Sequence, residues 1–322
     1  MNALRRLAEL ATTMHGQRAL EIYRVVAGCT ILFQFLSAYP QRHYLFGPDA
    51  VFPREVAQQT ANFGLFTNID SVVVFELAYH GSILVTLLWT LGVLLPVTTL
   101  LVLVAWRSLI DRIPGLGDGG DNLTQLLLCY ALLCNLGGPG VRSWLRRAPQ
   151  WLRDLRAIAH NTGLVAIWGQ ICVVYLIAGM SKIEGEAWRN GTALYYVLST
   201  ERFTIPEVAQ LVLDSPLLMT VFAYVTVFFQ LAFPFAVAFN RHARRVVLLL
   251  AVGFHVGIAT VMGLTSFGLF MIAADLTFLS DDDAARIHAT SRRLLDATRR
   301  RLLSLFKRYD ARTPNEKGNT IV

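Results

Sequence analysis

Charged residues are scarce in this sequence: 16% of its 322 residues are Asp, Glu, Lys or Arg, whereas 54% are hydrophobic. This balance is not that of an ordinary soluble enzyme and is typical of a membrane protein. The charges are clustered, and apolar stretches of roughly 17 to 24 residues between them are long enough, as helices, to cross a bilayer core. Because lipid offers no partner to an open backbone group, we expect every crossing to be helical.

The sequence also lacks the short motifs of common soluble enzymes. It has no HExxH, no CxxC pair, no Walker loop and no GxSxG, so nothing in it predicts a metal site or a nucleotide site. No cleavable signal peptide is expected, since residues 1–17 have no apolar core. No disulfide framework is expected either, because all four cysteines lie in apolar stretches: Cys29, Cys129, Cys134 and Cys172.

The apolar stretches predict an all-α polytopic membrane helix bundle of about eight transmembrane helices. We place the spans at Ile22 to Ala38, Val72 to Trp89, Leu91 to Trp106, Leu123 to Leu136, Leu164 to Met180, Leu217 to Phe239, Val246 to Met262 and Leu264 to Leu279. The second and third spans should form a tight hairpin around Thr90 to Pro96, and the last two should turn at Met262 to Leu264.

Eight crossings place the connections alternately on the two sides of the membrane. One side then receives about three times as many Lys and Arg residues as the other, which makes it the cytoplasmic side by the positive-inside rule. Both termini are therefore predicted to be cytoplasmic. The net charge of +7 is explained by orientation and by attraction to anionic lipid, so the expected partner is the bilayer and not nucleic acid.

Two cytoplasmic segments interleave apolar and basic residues, as helices lying on a membrane surface do. They are Val141 to Ala159 and Ala284 to Tyr309; pairing with another protein is the alternative. These features divide the chain into a cytoplasmic N-terminal segment at 1–20, a transmembrane domain at 21–280 and a basic amphipathic tail at 281–322.

Polar residues inside or beside the spans are the candidates for a functional site, because a charge in a span costs about 3 kcal/mol on insertion scales. On the eight-span scheme nearly all of them fall in the outer half of the membrane, where they are expected to converge on one cavity. They are Glu76, His80, Asp121, Asn122, Lys182, Glu184, Trp188 and His255.

Each of these residues also has a purely structural interpretation. Glu76 and His80, four residues apart on one helical face, could simply pair with each other. Asp121 could be an N-cap, Lys182 could snorkel to the interface, and His255 could be a packing residue. Arg24 and Asp275, near cytoplasmic helix ends, are interpreted as structural.

The stretch from Tyr175 to Ile183, with Lys182 as its eighth residue, is followed by Trp188, Gly191 and Thr192. This pattern resembles the signature of the horizontally transferred transmembrane (HTTM) domain family, which includes vitamin K-dependent gamma-carboxylase and bacterial proteins that mature the sporulation-delaying peptide toxin. A second stretch is similar to the carboxylase's last membrane helices, through Phe254 and His255, residues 267–273, and Phe278. The resemblance covers roughly Leu20 to Leu279.

The resemblance implies a general base at Lys182 that deprotonates a vitamin K-like quinol, with His255 as a second catalytic residue. Asp121, Asn122, Glu76, His80, Glu184 and Trp188 are then expected to contact substrate. Asp121 stands near the position of a functional histidine of the carboxylase, and an aspartate can donate a hydrogen bond only when protonated.

The sequence therefore supports a bacterial membrane protein that modifies or matures a small exported peptide or a lipid-like substrate. The resemblance would make it an enzyme related to the carboxylase and epoxidase. The alternative is a non-enzymatic scaffold or immunity-type partner of a peptide or membrane protein. A transporter is a weaker alternative, since the sequence shows no inverted repeat.

Overall fold

A computed structural model describes residues 2–60, 64–113, 115, 117–134, 148–200 and 204–310. All regular elements in these ranges are helical, which confirms the predicted all-α class. The longer helices are α1 (Asn2–Thr12), α2 (Gln17–Ser37), α5 (Val72–Leu91), α6 (Leu95–Arg112), α7 (Gly119–Cys134), α8 (Gln150–Glu184), α12 (Pro216–Phe239), α13 (Arg241–Val261), α14 (Thr265–Asp275) and α15 (Asp281–Asp310). Short helices between them are α3 (Arg42–Phe46), α4 (Arg54–Thr60), α9 (Glu186–Arg189), α10 (Ala193–Leu198) and α11 (Pro206–Leu213), with 3-10 turns at Tyr39–Gln41, Phe66–Asn68 and Leu276–Phe278.

Each of the eight predicted spans contains a helix in the described residues. Within the described ranges, five helical stretches are long and apolar enough to cross a membrane: Arg5–Ser37, Val72–Leu91, Gln150–Glu184, Pro216–Phe239 and Arg241–Val261. Several of their large apolar side chains point outward, as lipid-facing residues do; Leu77 is 70% exposed and Leu249 is 73% exposed. The chain is thus a polytopic helical membrane protein, and the exact number of eight crossings stays a prediction.

The predicted hairpin between the second and third spans is confirmed. Gly92 ends α5 with φ of 82°, and Leu94 begins the next helix with φ of 46°, both in the left-handed region. Arg24 of α2 is buried against this turn, and its Nη1 donates a hydrogen bond to Trp89 O at 2.6 Å and another to Thr90 O. A buried guanidinium on one helix therefore satisfies carbonyl groups at the end of another.

Helix α14 lies at the centre of the packing, with α13, α2 and α7 against it. Its neighbour α13 ends at Val261, and Gly263, with φ of 68°, makes the predicted turn between them. A second set of contacts joins α8 to α7 and to α12. The buried rings of Trp106 and Phe270, with centroids 5.1 Å apart, belong to the core that fills these interfaces.

Helix α8 corrects the expected surface segment at Val141 to Ala159. Residues 135–147 lie outside the described residues, but from Gln150 onward the chain is one continuous helix of 35 residues that ends at Glu184. No proline or local cap interrupts this helix, so the basic turns extend the span instead of forming a separate surface helix.

The N-terminal half of α8 also holds the N-terminal segment. Asn161 Nδ2 lies within hydrogen-bond distance of three carbonyl groups at and just beyond the end of α1, and the shortest of these distances, 2.8 Å, is to Thr13 O. His160 Nε2 contacts His15 O at 2.8 Å and its Nδ1 contacts Cys134 O at 3.0 Å. Two adjacent side chains therefore join α1, α7 and α8.

The chain divides into two compact units, Met1–Leu279 and Ser280–Val322. The second unit contains α15, which has three aspartates in its first turn, where they stabilise the positive end of the helix dipole. The predicted helix at Ala284 to Tyr309 is therefore present, and its place on a membrane surface stays a prediction.

Candidate functional site

His255 lies in a buried polar triad. Its Nε2 is 2.9 Å from the Tyr175 hydroxyl, and that hydroxyl donates to Asp275 Oδ2 at 2.9 Å. The three residues come from α13, α8 and α14, and none is more than 2% exposed. Two atoms of the triad, His255 Nδ1 and Asp275 Oδ1, are buried without a hydrogen-bond partner among the described residues.

Lys182 lies in the last turn of α8, two residues before the helix ends at Glu184. Its Nζ donates to Ala178 O at 3.3 Å and lies 5.1 Å from the centroid of the Trp188 ring, which makes a cation–π contact. Glu184 and Glu186 are exposed, and in the described part of the chain neither forms an ion pair with Lys182. The structure therefore brings two of the candidate residues, Lys182 and Trp188, into contact, and Glu184 forms no described ion pair with Lys182.

Asp121 takes part in a capping box at the start of α7. Asp118 is the cap, since its Oδ1 accepts from the backbone N–H groups of Gly120 and Asp121, at 2.7 and 3.0 Å. Asp121 Oδ2 in turn accepts from Asp118 N–H at 2.8 Å. The sequence predicted an N-cap at this point, but the N-cap residue is Asp118, and Asp121 is its partner in the capping box. Asn122 is exposed, so only Asp121 of this pair faces the interior.

Burial raises the pKa of Asp121 to about 6; the Asp118 N–H opposes this effect and the negative charge of Asp118 adds to it. Its Oδ1 is buried and has no hydrogen-bond partner among the described residues. This carboxyl group can therefore gain or lose a proton near neutral pH.

Glu76 and His80 belong to a separate ionic cluster on α5. The Glu76 carboxylate contacts Arg42 Nη2 at 2.8 Å, His43 Nε2 at 2.6 Å and His80 Nδ1 at 3.1 Å. Tyr39 completes the cluster, with its hydroxyl 3.0 Å from His80 Nε2. Glu76 and His80 are thus satisfied by each other and by the segment that follows α2, as their structural interpretation predicted.

The candidate residues do not converge on one cavity through their described contacts. His255 joins Tyr175 and Asp275, Lys182 joins Trp188, Asp121 joins Asp118, and Glu76 joins His80. Two of these groups are nevertheless related by α8. Lys182 follows Tyr175 by seven residues, which places both on one face of the helix about 10 Å apart along its axis.

An apolar cavity of about 370 Å³ lies beside the triad. Helices α10, α11, α12 and α13 line it, and Thr226 supplies the sole polar side chain of this lining. Phe229 and Phe254 form part of its wall, and on their other sides they contact Tyr175 and His255, with ring centroids 5.4 and 5.1 Å apart. One layer of aromatic rings thus separates the cavity from the triad.

Tyr175 and Asp275 are the site residues that sequence reasoning missed. The lysine motif includes Tyr175 without assigning it a role, and the position of Asp275 near a helix end favours a structural interpretation. Two features of the sequence could have indicated these residues: Tyr175 lies two helical turns from Lys182, and a carboxyl group such as that of Asp275 is costly in an apolar segment. The described residues contain no cluster of His, Cys, Asp or Glu suited to a metal ion.

These features define a polytopic membrane protein with buried polar groups in its helix bundle. Residues 157–282 match the HTTM domain family, which confirms the predicted resemblance over this segment of the chain. The matched segment contains Tyr175, Lys182, His255 and Asp275.

Two proteins of Bacillus subtilis (strain 168) are similar to the chain. Sporulation-delaying protein SdpB is 35% identical over 114 residues, which cover 34% of this chain and 35% of SdpB. The uncharacterized protein YitO is 25% identical over 182 residues, 55% of this chain and 59% of YitO. The chain thus spans about a third of the first relative and about three fifths of the second. No solved structure matches the chain.

Proposed function

We propose that this protein modifies or matures a small exported peptide or a lipid-like substrate at the outer side of a bacterial inner membrane, with Lys182 as a general base. The observation that carries the proposal is the position of Lys182 at the end of α8. Ala178 O takes one of the three hydrogen-bond directions of Nζ, and no described carboxylate takes the others. The nitrogen is therefore open to a substrate.

The similarity to sporulation-delaying protein SdpB supports a peptide as the substrate class. The SdpB match covers a third of each chain, and the HTTM match includes the segment that carries Lys182. A base at this position would remove a proton from a substrate that reaches the outer end of the bundle.

The apolar cavity supports a substrate with a hydrocarbon part. Its lining by fourteen apolar residues and one threonine suits a chain that enters from the bilayer. A quinol fits this arrangement in chemical class, since its hydroxyl is a proton donor for an amine and its side chain is apolar. When bound, a quinol would supply an oxidisable ring; this chain would supply the base and the apolar wall.

The first experiment tests the base with Lys182→Arg and Lys182→Met proteins in membrane vesicles. Arginine keeps the positive charge but does not deprotonate, so both variants should lose activity by about 10² to 10⁴-fold if the amine is a general base. Activity is measured as quinol oxidation and, by mass spectrometry, as processing of a peptide precursor encoded beside the gene.

The matched control is Arg189→Gln, which removes a positive charge from the neighbouring helix α9 and leaves Lys182 in place. Its activity should stay within about twofold of the wild type, a difference of less than 0.5 kcal/mol. Full activity of Lys182→Arg would show that a charge, and not a base, is needed at this position.

The second experiment fills the cavity through Gly257→Leu. A Cβ atom at Gly257 would meet no atom within 4 Å, so the new side chain enters the cavity without a clash. We expect a raised KM for a substrate with a long apolar chain and an unchanged KM for a substrate with a short one. Only the long chain would extend into the part of the cavity that the leucine side chain occupies.

Gly169→Leu is the control for this experiment. Gly169 is exposed on α8, away from the cavity lining, and has equal space for a Cβ atom. If both leucine variants change KM equally, the cavity has no part in substrate binding.

A further inference from the structure

The number of protons in the triad of Tyr175, His255 and Asp275 limits the directions of its two hydrogen bonds. A tyrosine hydroxyl carries one proton, and both of its neighbours, His255 Nε2 and Asp275 Oδ2, are 2.9 Å away. The hydroxyl can therefore donate to only one neighbour at a time and must accept from the other.

Two arrangements satisfy this rule. In the first, the Tyr175 hydroxyl donates to an ionised Asp275 and accepts from His255 Nε2–H, so the triad holds two protons. In the second, a protonated Asp275 donates to the hydroxyl, the hydroxyl donates to His255 Nε2, and His255 carries its proton on Nδ1. The second arrangement holds three protons, and the two therefore differ by one proton and by the direction of both hydrogen bonds.

The imidazole end of the triad, His255 Nδ1, is the atom that gains this proton when the first arrangement becomes the second. His255 Nδ1 and Asp275 Oδ1 are both buried without a hydrogen-bond partner among the described residues. An unsatisfied polar atom in a packed interior is costly, so two of them at the two ends of one hydrogen-bonded chain call for an explanation.

The surroundings contain little that would fix one arrangement. Helix α12 faces Tyr175 with Phe229 and Phe233, while Phe254 and Phe267 contact the ring of His255. Among the titratable side chains, α8 contributes Tyr175 and α14 contributes Asp275, and the distance from His255 Nε2 to Asp275 Oδ2 is 3.8 Å. Aromatic rings thus isolate the triad from other described charges.

We propose that Tyr175, His255 and Asp275 form a proton relay that binds one exchangeable proton inside the HTTM domain. In loading, a proton binds His255 Nδ1, Nε2 passes its proton to the Tyr175 hydroxyl, and the hydroxyl passes its own proton to Asp275. In unloading, Nδ1 releases its proton, His255 Nε2 takes the proton of the hydroxyl, and the hydroxyl takes the proton of Asp275. Each cycle thus stores one proton at the carboxyl end and returns it through the imidazole end.

The use of this proton rests on the proposed function. Tyr175 and Lys182 share one face of α8, about 10 Å apart along the axis, so a proton that Lys182 removes from substrate could return to the triad through water or substrate. Tyr175 and Asp275 are then positioning residues for the relay. The relay itself rests only on the geometry of the triad.

The test follows the two ends of the triad separately in purified protein in nanodiscs. Infrared spectroscopy reports the carbonyl band of protonated Asp275, identified by its loss in Asp275→Asn. Nitrogen NMR of labelled histidine reports which nitrogen of His255 carries the proton, identified by its loss in His255→Gln. In the wild type we expect both signals to change together as the pH is varied.

Tyr175→Phe should separate the two transitions, because it removes the hydroxyl that links them and keeps the ring. Tyr23→Phe is the matched control: Tyr23 is also buried, and its hydroxyl has no hydrogen-bond partner among the described residues. The proposal is overturned if the two signals change independently in the wild type, if neither changes, or if Tyr175→Phe leaves them coupled.

Activity measurements distinguish this proposal from the proposed function. Lys182→Arg should abolish turnover and leave the coupled transition intact, whereas Tyr175→Phe should lower turnover by about tenfold or more. If the transition is coupled but Lys182→Arg stays active, the relay stands and the base assignment fails.

Discussion

At the scale of single residues, Asp121 combines a structural contact with a buried, titratable carboxyl group. It caps α7 together with Asp118, yet its second carboxyl oxygen is buried without a partner in the described residues. Sequence reasoning placed this residue among the candidates but could not separate the cap from the buried atom. Both depend on the packing of α7 against α14, which brings Phe267 within 3.2 Å of a Cβ atom at Gly120.

The stability of the protein should depend on pH through the carboxyl group of Asp121. The folded pKa of Asp121, about 6, lies above the ordinary value of 3.8 expected in the unfolded chain. The folded state therefore binds this proton more tightly, and its contribution to stability is present at low pH and lost as the pH rises through 6. The loss amounts to about 3 kcal/mol.

The measurement is the thermal unfolding midpoint of detergent-solubilised protein at several pH values. Asp121→Asn keeps the oxygen that accepts from Asp118 N–H and should flatten the profile between about pH 4 and pH 7. Asp49→Asn, at an exposed aspartate, should leave the profile unchanged. A wild-type midpoint that rises with pH through this range would contradict the assignment.

Lys182 and His255 were predictable from the sequence because a charged or polar residue in an apolar stretch stands out, and because a family motif carries the lysine. Their partners were not. Tyr175 and Asp275 lie 100 residues apart in the sequence and meet only through the packing of α8 and α14 around α13. A pattern of spacing along one helix cannot show which other helix faces it.

At the scale of helices, local patterns predicted helix positions well and helix ends less well. The turn between α5 and α6 was predictable, since glycine and proline mark it. The continuity of α8 was not predictable, because the arginines near its N-terminus suggested a surface helix and the sequence does not reveal the contacts of His160 and Asn161 with the N-terminal segment.

Gly163 gives a prediction at this scale. A Cβ atom there would meet Tyr130 O at 2.8 Å and Cys134 Sγ at 2.7 Å, so α7 and α8 approach each other through this glycine. Gly163→Ala should lower the free energy of unfolding by about 1 to 3 kcal/mol because the two helices must move apart. Unfolding by denaturant in mixed micelles measures the change.

Gly169 on the same helix provides the comparison. A Cβ atom there meets nothing within 4 Å, so Gly169→Ala should be neutral or should stabilise the helix by up to about 1 kcal/mol. Equal destabilisation by the two alanine variants would mean that helix propensity, and not the contact with α7, decides the outcome.

At the scale of the whole molecule, the number of membrane crossings and the side on which each terminus lies are predictions. The charge bias favours eight crossings with both termini in the cytoplasm, whereas five helical stretches in the part of the chain that the structure describes are long and apolar enough to cross by themselves. An even number of crossings places the termini on the same side, and an odd number places them on opposite sides.

Reporter fusions decide between these outcomes. A fluorescent protein fused after Asn240 or after Asp310 should fluoresce, because both positions are expected to be cytoplasmic. Alkaline phosphatase fused after Gly115 or after Gly263 should be active, because both are expected to be outside. Phosphatase activity of a fusion after Asp310 would contradict the eight-span topology.

The buried Arg24 has a consequence for biogenesis. Its carbonyl partners at Trp89 and Thr90 lie 65 and 66 residues further along the chain, so they are synthesised well after α2 has left the ribosome. Until then the guanidinium of Arg24, near the end of the first predicted span, has neither of these carbonyl partners and can stay hydrated among the lipid headgroups. We therefore expect Arg24 to reach its buried position only when the hairpin arrives, so that the packing of α2 is completed together with that of α5 and α6.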